Sequence, residues 1–174
     1  MAEVITGITF SPVQTFIEKS RKLRDLYGSS YLLSFLSWSI CHAAQRQNHQ
    51  IISPALPNVV QGMPNKILIA GDFAEKDAKT AFDQAWKCMT EPCQEWVQER
   101  FEPSAEKFYW KRDWGLWSKY TWEFFWVQRQ GTTVGEVRRQ LEARKNARNW
   151  VGINWQGESS TLSGTDAVAH PGLG

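Results

Sequence analysis

The sequence predicts an α+β domain built on a small antiparallel sheet. Three observations lead there. Four short runs are rich in β-branched and aromatic residues, helical apolar periodicity fills the stretches between them, and Gly, Pro or polar clusters punctuate the junctions. At 174 residues the chain suits one domain, and with 42% hydrophobic and 22% charged residues it has the apolar bulk for a full core. That composition excludes a disordered chain.

Residues 3–10 read as the first strand, with Val4, Ile5, Ile8 and Phe10 apolar and Thr6 and Thr9 also favouring strand. Gly7 either weakens this strand or lets another element approach its backbone. Ser11-Pro12-Val13-Gln14 then carries the signals of a helix start: a hydroxyl to cap free amides, Pro in the first turn, and Gln to close a capping box. Val13, Phe16, Ile17, Ser20, Leu23 and Tyr27 recur at helical spacing. Gly28 predicts a stop, with Ser29 or Ser30 capping a second helix over 31–47. The first turns of that helix are apolar on nearly all sides, which predicts burial, and His42 reads as a core histidine.

Short strands follow over 50–53 and 66–70, separated by a Pro/Gly-punctuated loop over 54–64. A helix over 73–98, with a break expected near Pro92, and a helical piece over 104–118 come next. Residues 121–128 alternate aromatic and other residues and predict the last strand. A basic helix over 133–150 closes the series, with Arg138, Arg139, Arg144, Lys145 and Arg148 against Glu136 and Glu142. The order strand, helices, strand, strand, helices, strand matches a βαββαβ unit, the ferredoxin-like arrangement used by palm domains, with helices expected on one sheet face. Residues 1–151 form that domain in this reading. Residues 152–174 lose periodicity, are rich in Gly, Ser and Thr, and read as a tail or linker toward further domains.

Net charge is +2, so charge alone implies no nucleic-acid partner. The apolar stretch from Tyr31 to Ala44 is interrupted by serines and His42 and is too short to span a bilayer, so no membrane partner is expected. Met1-Ala2-Glu3-Val4 shows no basic leader region, and Cys41, Cys88 and Cys93 form no C-x-x-C pair; they read as reduced thiols of a cytoplasmic protein. Ten Trp imply either an aromatic core or a face that awaits a partner.

Phosphate-binding and nucleophile-elbow motifs are absent: there is no Walker loop, no G-x-G-x-x-G and no G-x-S-x-G. No histidine is followed by Asp, so a His-Asp nuclease motif is absent too. Gly71-Asp72 ends a strand where a palm domain could place a metal carboxylate, but it lacks a second Asp and reads as a structural turn. The richest constellation is F-S-P-V-Q-T-F-I followed by R-K-L-R-D-L-Y-G-S-S-Y-L-L-S, running from Phe10 to Ser34. Two helix N-termini close together would offer amides to an anion such as phosphate. Ordinary helix capping accounts for the same residues.

This stretch resembles the start of the first palm domain in the large subunit of type III CRISPR effector complexes, closest to the Cmr-type (III-B) form. The residues that carry the resemblance are Pro12, Val13, Gln14, Phe16, Ile17, Arg21, Arg24, Asp25, Leu26, Ser30, Leu32, Leu33 and Ser34. Pro64-Asn65-Lys66 and the helix end Ala143, Arg144, Lys145, Arg148 extend it. Ser11, Tyr27 and Ser29 depart from the family's Gly, Trp and Gly, and Ser160-Thr161-Leu162-Ser163-Gly164 stands where the family often has a zinc-binding C-x-x-C-G, so no zinc is expected.

The resemblance implies a crRNA-guided antiviral machine whose large subunit makes cyclic oligoadenylate from ATP with a divalent metal. ATP lies between two palms, and the metal carboxylates belong to a downstream palm bearing Gly-Gly-Asp-Asp. This chain would be the non-catalytic first palm, with Arg24, Ser29, Ser30 and Ser34 as nucleotide contacts and no metal ligand of its own. Its partners would be the second palm, the other effector subunits and, through the complex, crRNA and target RNA. The alternative is an RNA-binding adaptor in which Arg138, Arg144, Lys145 and Arg148 contact phosphates and exposed Trp rings stack on bases.

Overall fold

The computed structural model describes residues 3–20, 22–100 and 110–147. In chain order the elements are β1 (Val4–Ser11), α1 (Val13–Glu18), α2 (Leu23–Arg46), β2 (Gln50–Ser53), β3 (Lys66–Ala70), α3 (Glu75–Arg100), α4 (Trp110–Tyr120), β4 (Glu123–Gln130) and α5 (Val134–Asn146). The predicted tail over 152–174, the helical residues 104–109 and Arg148 lie outside the described residues, as does the Ser160–Gly164 position. Among the described residues no helix is long and apolar enough to cross a membrane.

The sheet order is β2-β3-β1-β4, with every neighbouring pair antiparallel. This order is compatible with the ferredoxin-like arrangement, and the fold class is α+β as predicted. Central β1 is buried on both faces. Successive strand side chains point to opposite faces, so Ile8 and Phe10 join Ile67 and Ile69 in a core against α2 and α3, and Ile5 joins Leu68 and Val137 on the other face. The first core is aromatic: Phe82 lies 4.9 Å from Phe10 and 5.5 Å from Phe124, and Trp122 meets Phe10 edge-on at 5.7 Å.

The second face corrects the expectation that helices cover one side only. Helix α5 packs against β1 and β4 there. Gly7 makes this possible: a Cβ at that position would stand 2.5 Å from Val137 Cγ1 and 2.9 Å from Leu141 Cδ1. Thr133 and Glu136 start α5 with a complete capping box, and hydrogen bonds from Thr132 and Thr133 hold the Glu136 carboxyl down at about 2. The Lys66 ammonium donates to Glu142, Arg129 Nε donates to Gln140 Oε1 at 2.7 Å, and Arg144 donates to the Trp126 carbonyl of edge strand β4.

Several boundaries differ from the prediction for identifiable reasons. Ser11 ends β1 instead of capping α1; its hydroxyl donates to Glu123 Oε2 at 3.2 Å, and Pro12 stands at the N-cap without a side-chain bond. Helix α3 runs through Pro92 without a break. Strand β4 starts at Glu123 because the Thr121 amide still bonds the Trp117 carbonyl at 2.9 Å and closes α4. The largest difference is α2, which passes straight through Gly28, Ser29 and Ser30. Only one face of it is buried, through Leu33, Leu36, Ile40 and Ala44, so the expectation of burial all round does not hold.

Candidate functional site

The residues singled out from the sequence fall on two surfaces. Arg24, Ser29, Ser30 and Ser34 all lie on the N-terminal half of α2. Because α2 is continuous, Ser29 and Ser30 are interior helical residues and cap nothing. The helix instead begins at Lys22, an extended N-cap with no side-chain bond to the first amides. Those amides, with Arg24 and Asp25 beside them, form the positive end of a 24-residue helix.

The four residues have different surroundings. Arg24 is exposed and its Nε stands 3.6 Å from Asp25 Oδ1. Ser30 is exposed, while the Ser29 hydroxyl lies 3.0 Å from that of Ser20 and ties α2 to the end of α1. Ser34 is buried, at 1% exposure. Its hydroxyl donates to the Ser30 carbonyl at 2.9 Å and accepts the Met63 amide at 2.9 Å, so it fastens the 54–64 loop onto α2.

Around Arg24 and Ser30 the same turns expose large apolar side chains: Leu23 at 82%, Tyr27 at 66%, Tyr31 at 46% and Leu26 at 42%. A cleft of about 610 Å³ opens beside them between α2 and Met89 of α3, lined by Tyr27, Gly28, Tyr31, Leu32 and Phe35. This end of α2 therefore combines a helix N-terminus whose N-cap side chain makes no bond to it, a guanidinium, a hydroxyl and an exposed apolar wall.

The second surface is α5. Arg138 is exposed, Lys145 is half-buried, and Arg144 is held against the Trp126 carbonyl. Arg148 lies outside the described residues. Arg144 thus has a structural use on the sheet edge that the basic spacing of the helix did not reveal.

Gly71-Asp72 is a structural turn. Gly71 has φ +104°, its amide donates to the Val4 carbonyl at 2.8 Å, and a Cβ there would stand 2.6 Å from His49 Nδ1. Asp72 accepts from Gln128. Among the described residues no group of three or more His, Cys, Asp or Glu side chains is placed to hold a metal ion. Cys41 is buried, and that burial pushes its thiol up to about 12, which removes it as a nucleophile. His42 is exposed rather than buried in the core; its ring stacks on Trp38 at 4.7 Å and 8°.

Sequence reasoning gave Asn65 no role beyond its place in Pro64-Asn65-Lys66. Its amide nitrogen donates to Thr9 Oγ1 at 3.3 Å and to the Phe10 carbonyl at 2.9 Å, so it clamps the end of β1 that leads into α1. An Asn just before a strand was the available signal.

Residues 5–62 match the family model described as CRISPR-associated protein Cmr2, N-terminal. The match covers β1 through most of the 54–64 loop and so includes the whole α2 surface. No curated protein matches the chain. The matched family is the one whose large subunit of type III-B CRISPR complexes the motifs of this stretch resemble, so the two findings agree over residues 5–62. The family implies a part in a multi-subunit CRISPR effector.

Proposed function

We propose that this chain is the first palm of a type III-B effector large subunit. In this reading it is a non-catalytic half-site that pairs with a downstream Gly-Gly-Asp-Asp palm and helps to hold ATP for cyclic oligoadenylate synthesis. The observation that carries the reading is the N-terminal end of α2, where the first-turn amides, Arg24 and Ser30 sit among exposed Leu23, Leu26, Tyr27 and Tyr31 inside the matched stretch. Helix amides and a guanidinium favour a phosphate, and the apolar wall favours burial under another domain.

The chain's own residues bind and orient in this proposal. Arg24 and the first α2 amides face a phosphate, and the Ser30 hydroxyl offers a hydrogen bond. Ser34 acts one turn further on by holding the 54–64 loop, and Ser29 by tying α2 to Ser20. A divalent metal would neutralise phosphate charge, and its carboxylate ligands are assigned to the second palm.

The test uses a protein carrying both palms. Arg24→Gln and Ser30→Ala should each lower cyclic oligoadenylate synthesis while leaving thermal melting at or above the parent value. Full synthesis in both variants would remove the half-site from this end of α2. The chain of 174 residues alone, given ATP with magnesium or manganese, should yield no product; product that disappears on Asp72→Ala would overturn the non-catalytic reading.

A further inference from the structure

Helices α2 and α3 leave a second cleft, of about 580 Å³, at the C-terminal half of α2. It shares no residue with the surface around Arg24 and Ser30. One wall is the row Trp38, His42 and Arg46, four residues apart and so stacked along one helix face. Ala81 and Ala85 of α3 keep the floor free of bulk, and Gln84 stands on the α3 side.

The row is ordered by its rings. Trp38 and His42 lie parallel, with centroids 4.7 Å apart and planes within 8°. Phe35 continues the stack beyond Trp38 at 5.9 Å and 17°. An exposed imidazole is ordinarily free to rotate about its side-chain bonds, but here the indole holds its plane. His42 therefore presents a fixed flat face to the cleft, with a guanidinium one turn away and a side-chain amide across from it.

We propose that this cleft binds a nucleoside monophosphate, with the base stacked on His42, the phosphate at Arg46 and the base edge within reach of Gln84. A flat π-face selects a flat ligand whatever its substituents, and the amide can both donate to and accept from a base edge. Charge decides for a free nucleotide over a nucleic-acid strand. Among the described residues lining the cleft Arg46 is the one with full charge. On neighbouring α3, Lys79 pairs with Asp83 and Lys87 with Glu91, and Gln47 Nε2 donates to Asp77 Oδ2 at 3.0 Å. One cation matches one phosphate; a polyanionic backbone needs a continuous basic track.

The experiment titrates the full chain with AMP, adenosine, inorganic phosphate and a short oligoadenylate, by calorimetry and by the indole N–H resonance of Trp38. AMP should saturate in the micromolar to millimolar range. Adenosine should bind more weakly, and phosphate should leave the indole signal unmoved. His42→Ala and Arg46→Gln should each weaken AMP about tenfold with unchanged melting, while His42→Phe should retain binding because it keeps a flat ring. Arg24→Gln and Ser30→Ala should leave AMP affinity alone. The proposal is overturned by no saturable AMP binding, by phosphate binding as well as AMP, or by His42→Ala without effect. It is equally overturned if oligoadenylate binds far tighter than AMP, or if Arg24→Gln or Ser30→Ala removes the AMP site.

Discussion

Placing a methyl group on Gly7 tests how α5 is held against the sheet. The new Cβ would lie 2.5 Å from Val137 Cγ1, 2.9 Å from Leu141 Cδ1 and 3.4 Å from Leu141 Cγ. Leu141 can swing its terminal carbon, but Val137 is β-branched and stiff at χ1, and both side chains are fully buried. Either Val137 leaves its rotamer or α5 lifts from β1. Such overpacking costs ~1–3 kcal/mol. Replacing Gly by Ala within a strand returns ~0.5–1 kcal/mol of backbone entropy. A 2.5 Å contact on a stiff side chain puts the cost in the upper part of that range, ~2–3 kcal/mol, so the net expectation is a loss of ~1–2.5 kcal/mol, which for a chain of this size lowers the melting temperature by roughly 2–10 °C. Urea unfolding of the parent and Gly7→Ala chains measures it. Val137→Ala alone removes two buried carbons and costs roughly 2 kcal/mol. Because the deleted methyl is the one nearest the new Cβ, Gly7→Ala combined with Val137→Ala should cost clearly less than the sum. Additive losses, or a Gly7→Ala chain as stable as the parent, would refute the close approach of α5 to β1.

Three further outcomes follow from local chemistry. Ser34→Ala removes the acceptor of the Met63 amide in a buried setting and should cost ~1–3 kcal/mol, with faster hydrogen exchange at Met63; unchanged exchange there would dismiss the latch. Ser30→Ala replaces an exposed helix-interior serine, so it should leave stability unchanged or raise it by up to ~0.5 kcal/mol, whereas a cap would lose ~1 kcal/mol; denaturant midpoints decide between them. Glu136 is held at about 2, below its unfolded value of 4.5, so its contribution is present above pH 4.5 and is lost as pH falls toward 2. The parent and Glu136→Ala chains should therefore differ in stability at neutral pH and converge in acid, and a pH-independent gap would contradict the capping box.

The sheet was legible because each strand carries its own signal. Gln50–Ser53 and Lys66–Ala70 match the predicted bounds, since β-branched runs there end at unambiguous turn residues. β4 began two residues late because a helix carbonyl claimed the Thr121 amide, a competition between neighbours that residue preferences do not encode. The α5 face was missed for a related reason. Gly7 announced that something approaches β1, but which element does so depends on where the chain returns. His42 misled because its neighbours in sequence are apolar while its helical angle points it outward beside Trp38.

Gly28 is the most informative miss, because the site depends on it. A glycine followed by two serines is the signal of a helix end and a new cap, and a glycine inside a helix costs ~1 kcal/mol relative to Ala. The cost is local, while the gain from continuing is shared along 24 residues whose C-terminal half is anchored by Leu33, Leu36, Ile40 and Ala44. The helix therefore carries its first turns past the core, and nothing lies within 4 Å of where a Gly28 Cβ would stand. Those turns hold the exposed leucines and tyrosines with Arg24 and Ser30. A broken helix would have left the serines as caps, with their hydroxyls spent on backbone amides. A continuous one sends the Ser30 side chain outward and leaves its hydroxyl on the exposed surface that the proposed half-site uses. Gly28→Ala separates the two effects: it should stabilise the helix by up to ~1 kcal/mol, and with no neighbour to clash it should do so without disturbing that surface. A loss of stability would mean that the chain bends at Gly28 after all.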